Sequence, residues 1–334
     1  MEKVENLINK ESFSTNTLNA ITRKKTEKGA LKTLGTLTVF KEAYPDTETV
    51  FDKIFEARRM KSNDRCTCGS PISKFYVRIE GTYKYRCRSC NLRISPLAAT
   101  PFKGFKIPLH TIIEITFKCI QSKHGYASKE IEKDYGLKYE TSLNLHHKIM
   151  EWMGMVVNEY KFNNATVEGD ETYVRVPTGL PRGFKFSRGL SSERIKPVIT
   201  LIEQGGNAKA IVVDEVEKET LKSIYHTNVS LSSLVYTDGS AAYDFLSKNG
   251  YNHKQCNHSI KQWSNNGAHV NTAEGFHALI KGKIGTVHKG VSSEHLQKYV
   301  DEVCFVFSNR FKDPYTALNS LFDVLPPFIK KSNQ

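Results

Sequence analysis

The 334-residue sequence contains no apolar run approaching the roughly 20 residues that span a bilayer, which argues against an integral helical membrane protein. Its first residues, Met1-Glu2-Lys3-Val4-Glu5, lack a basic stretch followed by an apolar one, so no export signal is expected. Cysteine is sparse and odd in number, seven in all, unlike the short, cysteine-dense scaffolds held by disulfides. Negative charge is the scarcer sign: 35 Asp and Glu stand against 48 Lys and Arg, a formal net charge of +13. That surplus points to a polyanionic partner, nucleic acid first. Apolar residues are not scarce. At 39% they exclude a disordered tail protein, and the length suits two or three domains.

Four cysteines cluster. Cys66, Cys68, Cys87 and Cys90 form two close pairs about 18 residues apart, the spacing of a structural zinc site. Between them, residues 75–79 and 83–87 alternate as strands do, so 60–100 reads as a zinc ribbon. The first pair, Cys66-Thr67-Cys68, is shorter by one residue than the usual knuckle. Upstream, within 1–59, residues 1 to about 40 read as a mobile polar arm or a loose helical lead-in, and a short helix follows. Asp46 is its expected N-cap, and Val50, Phe51, Ile54 and Phe55 form one apolar face.

From 101 to 160 the period is helical. Leu109, Ile112, Ile113, Phe117 and Ile120 mark one helix. Ser128 to Gly136 predicts a second, shorter one, with the glycine as C-terminal cap. A third follows from about Tyr139, with Leu145, Ile149 and Met153 inward. This is the outline of a helix-turn-helix, whose last helix would offer Lys138, Thr141, Asn144, His147 and Lys148 to phosphates and base edges. A plain three-helix bundle has the same pattern, so DNA binding stays open on these residues alone.

Beyond 161 the period becomes strand-like. Strands are expected near 165–174, 196–202 and 208–213, then helix, strand (233–238), helix, strand (251–256) and a helix from about Thr272. A basic loop carrying Arg182, Lys185 and Arg188 separates the first two strands, and Arg182 and Lys185 are further candidates for DNA contact. Three strands in a meander, followed by strands that need helical crossovers, give a mixed five-stranded sheet of the ribonuclease-H-like α/β class over 161–311. In that order Asp170 lies within the first strand, Asp238 ends the fourth, and Glu274 opens the last helix. Three converging carboxylates repel unless divalent cations neutralise them, and two Mg²⁺ ions (or Mn²⁺) held this way would suit in-line phosphoryl displacement. Residues 312–334 are expected as a tail.

Glu168-Gly169-Asp170-Glu171-Thr172-Tyr173-Val174, Tyr236-Thr237-Asp238-Gly239 and His269-Val270-Asn271-Thr272-Ala273-Glu274-Gly275-Phe276, followed by Lys281, resemble the catalytic blocks of ISXO-like insertion-sequence transposases. His295-Leu296-Gln297-Lys298-Tyr299-Val300-Asp301-Glu302 resembles that group's closing block, and the similarity runs from about 40 to about 311. These are DDE-type enzymes with an amino-terminal zinc ribbon. The resemblance implies a metal-dependent DNA transposase with Asp170, Asp238 and Glu274 as Mg²⁺-binding triad and Lys281 on DNA phosphate. Asn271 is a rival for the third position, since the group varies there, and His258 and His269 fall in matching regions. It further implies double-stranded DNA as partner (element ends and target), a homodimer or larger synaptic assembly, and a cytoplasmic, nucleoid-associated location. Two other readings stay in play: a DNA-binding regulator derived from an inactive transposase, and a structure-selective nuclease of the same fold.

Overall fold

The computed structural model describes residues 23–25, 31–33, 36–62, 65, 66, 68–72, 76–79, 84–122, 125–177, 194–256 and 271–328. In chain order come the strands β1 (Arg23–Lys25) and β2 (Leu31–Thr33) and the helices α1 (Thr36–Ala43) and α2 (Thr47–Lys61). Short strands β3 (Tyr76–Arg78), β4 (Tyr85–Cys87) and β5 (Arg93–Ile94) precede helices α3 (Leu109–Gln121), α4 (Ser128–Tyr135) and α5 (Tyr139–Glu159). Strands β6 (Thr166–Arg175), β7 (Ile195–Glu203) and β8 (Ala208–Val212) lead to helix α6 (Lys218–Asn228) and strand β9 (Leu234–Asp238). Helix α7 (Phe245–Lys248), strand β10 (Asn252–Cys256) and helices α8 (Asn271–Gly282), α9 (Leu296–Ser308) and α10 (Pro314–Asp323) complete the chain.

The main sheet has the order β10-β9-β6-β7-β8. β6, β7 and β8 run antiparallel in sequence, while β9 lies parallel to β6 and β10 parallel to β9. That is the ribonuclease-H-like arrangement expected from the element order. β7 shows why both faces are covered. Val198 and Ile202 turn to the larger core, Ile199 and Leu201 to the smaller one, so the strand is a continuous apolar run rather than an alternating one. The smaller core, with Leu221, Tyr225, Tyr243 and Phe245, lies under α6 and α7. The larger core reaches from Val39 to Leu325 and takes in α1 to α5, α8, α9 and α10. Helices α3 to α5 and the sheet therefore share one core, with α9 packed between α5 and β8.

Two segments differ from expectation. The end of the arm is a core helix: Val39 and Phe40 of α1 are buried, and Phe40 stacks on Phe117 at 4.8 Å. The supposed tail carries α10, started by Asp313, whose carboxylate accepts from the Tyr315 and Thr316 N–H groups at 3.0 Å, with Pro314 in the first turn. Leu318, Leu321 and Phe322 are its buried face, and Trp152 Nε1 donates to Leu321 O at 2.6 Å. Both apolar patterns are short, which hid them beside polar flanks. Gly136 caps α4 in the left-handed region, φ 63°, as its place in the sequence predicted.

Candidate active site

β6 has two faces and places different chemistry on each. Gly169 faces α6, where a side-chain carbon would lie 1.8 Å from the Tyr225 hydroxyl oxygen, so only glycine fits. Glu168 and Asp170 face the opposite way, toward α8. The β6–β9 ladder pairs Glu168 with Tyr236, and the same offset continued two residues sets Asp170 beside Asp238. Asp170 Oδ1 accepts from the Glu171 N–H at 2.9 Å, and Asp238 Oδ1 accepts from the Ser240 N–H at 3.0 Å, fixing the turn that leaves β9. Glu274 lies in the first turn of α8, exposed. Lys281 follows about two helical turns later, also exposed.

The electrostatics single out Asp170. Burial pushes its carboxyl up to about 7; the Glu171 N–H opposes this, while the charges of Glu171, Asp238 and Glu274 raise it further. The nearby base does not compensate. His277 Nδ1 lies 3.7 Å from Asp170 Oδ2, but burial, with Lys281 adding, holds that imidazole down at about 4, so it is neutral. Thr200 Oγ1 donates to Asp170 O at 2.9 Å and lies 2.9 Å from His277 Nε2. With the threonine proton so used, His277 Nε2–H is the donor to Thr200, and its Nδ1 lone pair faces Asp170. The site thus offers hard oxygen donors of like charge, a donor set suited to a hard divalent cation. It is open: the oxygens of Asp170, Asp238 and Glu274 do not all lie within 4.8 Å of one another.

Among the described residues two sets of Cys, His, Asp or Glu atoms are that close. One is Cys66, Cys68, Cys87 and Cys90, with Cys66 Sγ 3.7 Å from Cys90 Sγ and Cys68 Sγ 3.8 Å from Cys87 Sγ. A tetrahedral ion with Zn–S bonds of about 2.3 Å has edges of about 3.8 Å, so the quartet fits zinc despite the shortened first knuckle. The segment is docked on α2, where Tyr85 stacks on Phe55 at 3.8 Å and donates to Asp52 Oδ1 at 2.6 Å. The other set is Cys119, His146 and Glu302, all buried.

The residues expected to meet DNA divide. Lys138 and Asn144 are exposed; Thr141 is half-buried; Lys148 is half-buried and paired with Glu151 at 2.7 Å. His147 is a correction. It is buried, 3.1 Å from the Tyr299 hydroxyl, with its ring 4.4 Å from that of His295, because this side of α5 packs on α9 and the turn before it. Arg182, Lys185, Arg188, His258 and His269 lie outside the described residues, as does the side chain of Asn271. Glu168, Thr200 and His277 are at the site and escaped the sequence reading. Glu168 alone left a signal, two strand positions before Asp170 and therefore on its face.

Residues 163–308 match the family model of the ISXO2-like transposase domain. Over these residues the chain is similar to ISXO2-like transposase domains. An uncharacterized transposase-like protein of Haemophilus influenzae is 28% identical over 122 residues, covering 36% of this chain and 93% of that one. A structure described as a pre-cleavage Mos1 transpososome is similar at 12% identity over 60% of this chain and 71% of the other, with a TM-score of 0.26, too remote a likeness to bear on function. The matched region spans β6 to the end of α9, and so contains the whole main sheet and all three acids. Among the described residues no helix is long and apolar enough to cross a membrane.

Proposed function

We propose that the protein is a DDE-type DNA transposase, a cytoplasmic, nucleoid-associated enzyme that binds the terminal inverted repeats of a mobile element, cuts there and joins the ends to target DNA. The observation that carries this reading is Asp170: a half-buried acid on the central strand of the sheet, raised to about 7, with acids and a neutral histidine around it among the described residues. Asp170, Asp238 and Glu274 would hold Mg²⁺ or Mn²⁺, which when bound supplies water activation and neutralises charge in phosphoryl displacement. The chain itself orients. Lys281 holds a DNA phosphate beside Glu274. Thr200 and His277 fix the Asp170 backbone and the face of α8 that meets it. Lys138 and Asn144 present the amino end of α5 to DNA, and the Cys66, Cys68, Cys87, Cys90 zinc ribbon extends that surface. The element order of 60–100, 101–160 and 161–311 becomes ribbon, helix-turn-helix and catalytic unit. Two ends must be held at once, so the working form is a homodimer or larger assembly.

Asp238→Asn tests this. Asn is nearly isosteric but removes one charge from the acidic set, so cleavage and joining of element ends in Mg²⁺ should be lost while end binding at fixed salt persists. Joining at the wild-type rate would refute the assignment. Cleavage by the wild-type protein without any joined product would favour the nuclease reading.

A further inference from the structure

Glu168 carries a carboxyl side chain with 0% exposure, buried beside the acidic site. Both its oxygens are occupied. Oε2 accepts from the Thr272 N–H at 3.0 Å and the Ala273 N–H at 3.1 Å; Oε1 accepts from Thr272 Oγ1 at 2.9 Å and Gln204 Nε2 at 3.2 Å. Thr272 and Ala273 are the second and third residues of α8, so a carboxylate on β6 caps the helix that carries Glu274. Capping normally comes from the residue just before a helix; here it comes from a strand about a hundred residues away in sequence. The free N–H groups and positive dipole end of α8 favour a carboxylate at this place.

The geometry points to Glu168 as a positioning residue for the acidic triad: by capping α8 from β6, it sets the axial register of Glu274 against Asp170. The inference rests on the transposase reading above. The apolar face of α8, Ala273, Phe276 and Ile280, is buried and fixes which side of the helix meets the sheet. Apolar packing is non-directional and resists a slide along the axis weakly, while a slip of one residue moves Glu274 by about 1.5 Å. The Glu168 bonds are directional and stop that slide. Asp170 is two residues along the same strand, so one rigid element holds both the cap and a triad acid. A second pin follows one turn after Glu274, where His277 meets Thr200 and the Asp170 carboxylate. Glu274 is therefore held between two attachments to the sheet. Glu168 itself is withheld from the ion, since both its oxygens are engaged by these hydrogen bonds.

The test uses the full-length zinc-containing protein and Mn²⁺ titrated by calorimetry without DNA, so that it has a readout independent of turnover. Glu168→Gln turns an amide N–H₂ toward donors and should weaken Mn²⁺ binding about tenfold or more, shift the Mn²⁺ concentration for half-maximal cleavage by the same factor, and leave end binding unchanged. Thr272→Ala, which removes one of the four bonds, should give a smaller loss in the same direction and serves if Glu168→Gln does not fold. Gln204→Ala, which does not touch α8, should bind Mn²⁺ like wild type. A fall in thermal stability with Mn²⁺ affinity unchanged would show a merely structural cap and overturn the inference. Separation from the parent reading is given by Asp238→Asn: if that variant loses Mn²⁺ and Glu168→Gln does not, only the positioning role falls; if wild type shows no Asp238-dependent Mn²⁺ binding, both fall.

Discussion

Glu302 is a buried carboxylate and Asp170 a half-buried one, and the chain treats them in opposite ways. Burial would raise Glu302, but Lys283, whose Nζ lies 2.7 Å from Oε2, and His146, 3.5 Å from Oε1, outweigh it and hold the carboxyl well below the usual range. Asp170 also bears a desolvation cost, with no Lys or Arg paired to it among the described residues, and its carboxyl rises to about 7. The Glu302 set contains close metal-type atoms, Cys119 and His146, yet its charge is already balanced from within the fold. The Asp170 set is more open and unbalanced. A buried acid whose counter-ion is supplied by the chain joins helices; one left without a counter-ion needs it from solution. In this chain Glu302 of α9 ties α5 to the lysine just after α8, while Asp170 waits at the sheet.

The largest expected effect breaks the balanced site. Lys283→Met leaves the buried Glu302 with only His146 to offset its charge, which should cost about 3–5 kcal/mol in urea unfolding, against little change when Glu302→Gln is added to it. The pH dependence follows from the lowered carboxyl. Unfolded Glu302 takes its proton near pH 4.3, folded Glu302 only at lower pH, so its contribution is complete above about 4.5 and is lost on acidification. Glu302→Gln should flatten that acid limb. A cost below about 1 kcal/mol for Lys283→Met would remove the contrast with Asp170.

The unbalanced site should show the reverse sign. Folded Asp170 keeps its proton to about pH 7, the unfolded residue only to about 4, so the folded state binds more protons in between and metal-free stability falls as pH rises. Asp170→Asn should therefore stabilise the metal-free protein at pH 8 by about 2 kcal/mol, after allowance for partial solvent access. Added Mn²⁺ should stabilise wild type and not the variant, reversing their order in a thermal melt. Asp170→Asn protein less stable than wild type without metal at pH 8 would show that the acid is compensated after all.

Different parts of this comparison were legible to different degrees. Asp170, Asp238 and Glu274 were readable because each sits at an element end or within a strand whose place in the sheet follows from the order of periods. Lys283 and Glu302 were not, because an ion pair between the end of one helix and the middle of another leaves no spacing signature. Glu168 was on the right face, but its cap on α8 depends on how α8 docks. His147 was misread because α5 continues into the shared core, so two of its sides are inward where an isolated recognition helix has one. The arm and the tail failed for the opposite reason: their apolar runs in α1 and α10 are too short to show a period, and only the other helices complete them.

Glu171 is the intermediate case. Half-buried on the other face of β6, it has no ion pair among the described residues either, but accepts a hydrogen bond from the Tyr243 hydroxyl at 2.5 Å. Tyr243 is buried with its ring against Tyr225, under the sheet. A hydrogen bond of this kind offsets part of the cost of a charge without supplying an opposite one. Tyr243→Phe should accordingly cost only about 1 kcal/mol in stability, since Glu171 keeps access to water. It should leave Mn²⁺ affinity as in wild type, because Glu171 points away from Asp238 and α8. A tenfold change in that affinity would instead place Glu171 among the residues that hold the ion, and the acidic set would then extend across both faces of β6.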